Sequence, residues 1–69
     1  MSINQLTEPV SGLLVSRAEA ARLLSISVRE LDEARAAGKL LAKRHGGKVL
    51  IPVKELERYA ESLPWIDPK

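Results

Sequence analysis

From Leu13 onward the apolar residues fall into blocks whose spacing changes along the chain. Ala20, Leu23 and Leu24 recur at helical intervals, and the pattern stops at Ser25. Leu31, Ala34 and Ala37 form a second, smaller stripe of the same period. Leu40 to His45 and Lys48 to Ile51 then flank Gly46-Gly47, a dipeptide that readily takes the positive φ angles of a two-residue hairpin turn. Val53, Leu56, Ala60 and Leu63 return to helical spacing, which predicts a third helix from about Val53 to Ser62 that Pro64 prevents from continuing. Residues 1–12 carry Pro9 and Gly12 and no sustained period, so a flexible arm is expected there. A single domain over 13–63 and a tail over 64–69 complete the organisation.

The helix starts are marked chemically. Ser16 and Glu19 have the spacing of a capping box, in which the serine oxygen accepts the glutamate amide while the carboxylate accepts the serine amide. Ser27 and Glu30 repeat the device, with Ile26 before the cap and Leu31 inside the helix placed to form a hydrophobic staple. Gly38 suits the left-handed residue that ends helix two after about Ala37. Only Ser25, Ile26 and Ser27 separate the two helices, and so short a link forces the steep crossing of a helix-turn-helix. The expected class is α+β: helix-turn-helix, two-stranded antiparallel hairpin, C-terminal helix.

Composition narrows what such a domain does. The chain has 69 residues and no cysteine, so disulfides and cysteine-ligated zinc are excluded, and His45 alone cannot build a histidine metal site. No cofactor is expected. No apolar run reaches the roughly 20 residues that span a bilayer, and Met1 to Val10 lacks the order of a secretory signal, so a cytoplasmic protein without membrane contact is expected. Catalysis is not expected, because the only histidine sits in a hairpin tip and there is no glycine-rich phosphate loop. A Phe-free domain of this size also encloses no pocket for a small-molecule substrate. The net charge is only +2, with a pI of 9.3, but Lys39, Lys43, Arg44 and Lys48 share a ten-residue stretch without an acid. That distribution favours double-stranded DNA as the partner.

In a helix-turn-helix the second helix enters the major groove with its N-terminal residues at the base edges. With Leu31 facing the core, Arg29, Glu33 and Ala36 point outward, flanked by Glu30, Asp32 and Ala37, so Ser27 at the helix start, Arg29, Glu30 and Glu33 are the recognition-helix candidates. Arg29 is the prime reader, since a guanidinium can donate twice to guanine. Asp32 and Glu33 have no evident role, because carboxylates are repelled by phosphates. Lys43, Arg44, His45 and Lys48 converge on the Gly46-Gly47 tip, which suits backbone contact or minor-groove entry. Ser16, Arg17 and Arg35 are secondary phosphate contacts. Trp65 and Ile66 form either a partner-binding handle or, with Trp65 folded back on helix three, an extension of the core.

Leu14-Val15-Ser16 before Glu19-Ala20-Ala21, then Leu24-Ser25-Ile26-Ser27, Gly38-Lys39-Leu40, the basic hairpin, and Ile51-Pro52 before Glu55-Leu56 together resemble the excisionase family, the recombination directionality factors of phages. The fold of that family is similar to that of MerR-type DNA-binding domains. The resemblance spans about Leu13 to Leu63. It implies a small winged helix-turn-helix with the hairpin as wing, binding of neighbouring copies side by side, DNA bending, and steering of a tyrosine-type integrase toward excision in a bacterial cell. The chain departs from the family's pattern at Ser25, where glycine is common, and at Asp32 and Glu33, where basic or polar residues are common. A small MerR-like transcriptional regulator and a protein-interaction adaptor with the same module are the alternatives.

Overall fold

A computed structural model of the chain describes residues 12–67. The arm expected over 1–12 thus lies, apart from Gly12, outside the described residues, as do Pro68 and Lys69 at the end of the tail. The elements run β1 (Leu14–Ser16), α1 (Arg17–Leu24), α2 (Val28–Ala36), β2 (Lys43–His45), β3 (Lys48–Pro52) and α3 (Val53–Ser62). Among them no helix is long and apolar enough to cross a membrane.

The helix starts follow the caps. Ser27 accepts from the Glu30 amide at 3.0 Å and Glu30 accepts from the Ser27 amide at 2.9 Å, a complete capping box. At α1 only half of the box forms: Ser16 accepts from the Glu19 amide, but the Glu19 carboxylate turns to the Arg22 guanidinium. Those hydrogen bonds hold the Glu19 carboxyl below its usual range.

Both helices end in the same hydrogen-bonded motif. The Ile26 amide donates to Ala21 O and the Ser25 amide to Arg22 O, while the Lys39 amide donates to Ala34 O and the Gly38 amide to Arg35 O. Each needs a left-handed residue, supplied by Gly38 at φ 77° and by Ser25 at φ 62°. The turn therefore keeps the geometry in which glycine is common, and Ser25 carries a cost of about 1–2 kcal/mol for it.

The core is small and unbroken: Val15, Ala20, Ala21, Leu31, Ala34, Leu40, Ile51 and Leu56, with Leu24, Ile26, Val28, Ala42, Val53 and Tyr59 packed against it. Alanines at the α1–α2 contact let the two helices approach closely. All three helical stripes read in the sequence are adjusted at some positions, Ala37 after α2 being exposed. In α1 Ala21 is buried and Leu23 is partly exposed, and in α3 Tyr59 packs inward while Ala60 and Leu63 are exposed. A short helix that meets the core near one end buries only the part of its stripe that lies over other elements.

The hairpin joins a three-stranded sheet in the order β1-β3-β2, rather than standing as an isolated two-stranded wing. Leu14 pairs with Pro52 and Val15 with Ile51, and the Val53 amide donates to Leu13 O at 2.9 Å. The wing strands are also offset from expectation. Leu40 is buried in the core, and Leu41 spends its amide on the Glu55 carboxylate at 2.9 Å, so pairing begins only at Lys43. At the tip Gly46 alone has positive φ.

Glu55 thereby ties α3 to the segment between α2 and β2, a link reinforced by Arg58, which donates to Lys39 O at 2.8 Å. Hydrogen bonds from Arg58, then from the Leu41 amide, hold the Glu55 carboxyl down at about 2. A carboxyl depressed on folding stabilises the fold above its unfolded value near 4.5, and that contribution is lost as pH falls toward 2. Glu55→Gln is expected to be less stable than the parent chain at neutral pH and to close that gap across this window, as followed by circular dichroism melts at stepped pH. A stability gap independent of pH would contradict the assignment.

Candidate nucleic-acid interface

The outward face of α2 is the one expected from its apolar stripe. Leu31 and Ala34 are buried, while Arg29, Glu33 and Ala36 are exposed and Glu30 is held at the N-terminus by its cap. Arg29 is 88% exposed, and its Nε lies 3.4 Å from Glu33 Oε2 one turn on. Exposed to this degree, it is available to a groove.

Asp32 acquires a role that no local signal announced. It accepts from Arg17 Nε at 3.1 Å and Nη2 at 2.6 Å, and from Arg35 Nη1 at 3.3 Å. The Arg17 hydrogen bonds, with Arg35 beside them, hold the Asp32 carboxyl below its usual range. Asp32 thus ties the start of α1 to the middle of α2 and fixes both guanidiniums. Each arginine keeps N–H groups that this carboxylate does not use, because a guanidinium has five. The Arg35 contact is an i, i+3 pair within α2, but the signal of the brace was hidden because Arg17 lies 15 residues from Asp32 and meets it only through the helix crossing.

The wing is built differently from the rest of the sheet. All three residues of β2 are exposed, and its register pairs Lys43 with Leu50, Arg44 with Val49 and His45 with Lys48. Side chains alternate across a strand, so Lys43, His45 and Lys48 share one face and Arg44 lies on the other, the face on which Ile51 enters the core. The basic groups expected to act together are therefore split between the two sides of the ribbon, with Gly46-Gly47 at the tip between them. On the Lys48 side an open cleft of about 430 Å³ separates the wing from the start of α1, lined by Ser16, Arg17, Ala18, Gly47 and Lys48 among others. This cleft brings together two of the secondary phosphate candidates and one wing cation.

Trp65 and Ile66 are 97% and 89% exposed. Trp65 takes no part in the core, so the folded-back arrangement is not the one found. Leu63 leaves α3 in an extended conformation and the tail runs on from there.

Two short capped helices joined by three residues, followed by a hairpin and a third helix on one core, define a small winged helix-turn-helix. A family model described as helix-turn-helix domain matches residues 14–64, and the chain belongs to that family of DNA-binding modules. The comparisons with curated proteins and with solved structures gave no match.

Proposed function

We propose that the chain is a sequence-specific DNA-binding and DNA-bending accessory factor of the excisionase type, with α2 in the major groove, Arg29 at the base edges, and the wing against the sugar-phosphate backbone. The observation that carries this reading is the wing. An edge strand with every side chain exposed adds nothing to the core, yet its residues are Lys43, Arg44 and His45, with Lys48 across the turn. Cations on both faces of a narrow ribbon with a glycine tip fit a groove walled by phosphates on two sides. In this reading Ser16 and Arg17, across the cleft from Lys48, hold a further phosphate, and Arg35 stands beside them on the Asp32 network. Asp32 as a brace also gives one of the three acidic side chains of α2 a structural task that is compatible with DNA binding.

A single module of this size covers little duplex, so neighbouring copies are proposed to bind side by side. Trp65 and Ile66 serve as the handle for the next copy or for a tyrosine-type integrase. Work on DNA in a bacterial cytoplasm, with no cofactor and no reaction of its own, completes the proposal.

Footprinting on the DNA beside the gene tests it, with several adjacent protected segments expected. One short protected segment at saturation would contradict cooperative occupancy. In a salt titration, Arg44→Ala and Lys48→Ala are each expected to weaken binding to all duplexes alike and to lower the slope of log affinity against log salt by about one. Unchanged slopes in both variants would remove the wing from the interface.

A further inference from the structure

Most of the acidic side chains near the proposed interface have a structural task. Glu30 completes a cap, Asp32 braces two arginines, and Glu19 pairs with Arg22 within α1. Glu33 is of another kind. Its side chain is 64% exposed, and its ion pair with Arg29 joins nothing beyond one turn of the same helix. The cation also precedes the anion, the less favourable order for an i, i+4 pair, and exposed pairs of this spacing contribute little to stability. A carboxylate in the middle of a groove-facing stripe opposes the approach of phosphates, so its effect on binding has to be sought at the bases.

Resting on the reading of α2 as the groove helix, we propose that Arg29 and Glu33 form one reading unit that selects a guanine and a cytosine in a neighbouring base pair. Arg29 donates to guanine O6 and N7, which draws it off the carboxylate. Glu33, about 6 Å further along the helix axis, then accepts from the exocyclic amino group of cytosine one or two base steps away. Where the base edge offers only acceptors, the released carboxylate is desolvated without a donor and the site is rejected. Away from any site, Arg29 stays paired to Glu33 and holds random phosphates weakly. Glu33 therefore lowers affinity for DNA that lacks the cytosine and raises the contrast between one site and the rest.

The substitution that separates these effects is Glu33→Gln. It keeps the size and helix propensity of an exposed side chain but offers both a donor and an acceptor, the pattern that matches adenine. The experiment selects duplexes from a randomised pool with the parent chain and with the variant, and measures affinity for a random duplex in parallel. For the parent chain, cytosine is expected beside the guanine fixed by Arg29. For the variant, that cytosine preference should fall by about fivefold or more, or turn to adenine, while the guanine persists and affinity for the random duplex rises. Matching melting curves establish that both chains are folded. An unchanged cytosine preference in the variant overturns the reading unit, as does a parent chain that binds duplex without selecting any sequence. A parent chain that binds no duplex at all is distinguishable from both outcomes, because it removes α2 from the groove and the reading unit with it.

Discussion

Leu31→Ala is expected to leave most of the chain unfolded at room temperature. Leu31 is fully buried beneath the outward face of α2, in the cluster that also holds Ala20, Ala34, Leu40 and Ile51. Truncating a buried leucine costs about 2–5 kcal/mol through lost transfer energy and the cavity left behind. A single core in a domain of this size supplies on the order of 3–5 kcal/mol in total, so the loss is of the same size as the stability itself. The alanines around Leu31 have no longer side chains with which to fill the space. Leu41→Ala is the control, since Leu41 is largely exposed and its loss should change stability by less than about 0.5 kcal/mol. Thermal melts followed at 222 nm on the far-ultraviolet scale check both, and a Leu31→Ala chain that melts within a few degrees of the parent would show that the core does not depend on this residue.

Arg29→Ala is expected to cost about 1–3 kcal/mol on the preferred site and almost nothing on random duplex, with the base preference relaxed at one position. The side chain is almost fully exposed and its ion pair with Glu33 is exposed as well, so stability should hold while recognition falls. The contrast with the wing is the informative part. In the proposed reading Arg44 and Lys48 act on phosphates that every sequence carries, whereas Arg29 acts on a base edge that few sequences present in register. Equal losses on the preferred site and on random DNA would move Arg29 from the bases to the backbone.

The parts of this fold that were legible in the sequence are those whose causes are local. Ser27 and Glu30 announce α2 because cap and carboxylate lie three residues apart, and Pro64 closes the region after α3 because its ring forbids continuation. The three-residue link from Ser25 to Ser27 similarly carries the helix crossing in its length. What stayed hidden depends on pairing at a distance. Leu14–Ser16 is too short to show alternation and becomes a strand only because β3 offers it an edge. Leu40 and Leu41 look like the start of a strand, but one is taken into the core and the other is bound by Glu55 from α3.

The candidate interface divides in the same way. The exposure of Arg29 and Glu33 follows from helical geometry around Leu31. The splitting of the wing cations between two faces follows from register, which the sequence brackets only loosely when two glycines can seat the turn. The bracing of Arg17 by Asp32 required the helices to be placed first, whereas the Asp32–Arg35 pair is local to α2.

The placement of β1 has a consequence for how the molecule comes into being. Its pairing joins Leu14 to Pro52, enclosing both α1 and α2, while β3 is also the strand on which the wing folds. Local contacts let α1 and α2 form early, but the sheet closes only when β1 and β3 meet, and a closure of that span is slow relative to helix formation. During synthesis β1 leaves the ribosome first and waits for β3, and until β3 arrives Val15 and Ile51 cannot cover the helices. A nascent chain that already displays Arg29 on a helix therefore has neither a sealed core nor a wing, and in the proposed reading the wing joins the groove helix only in a late step.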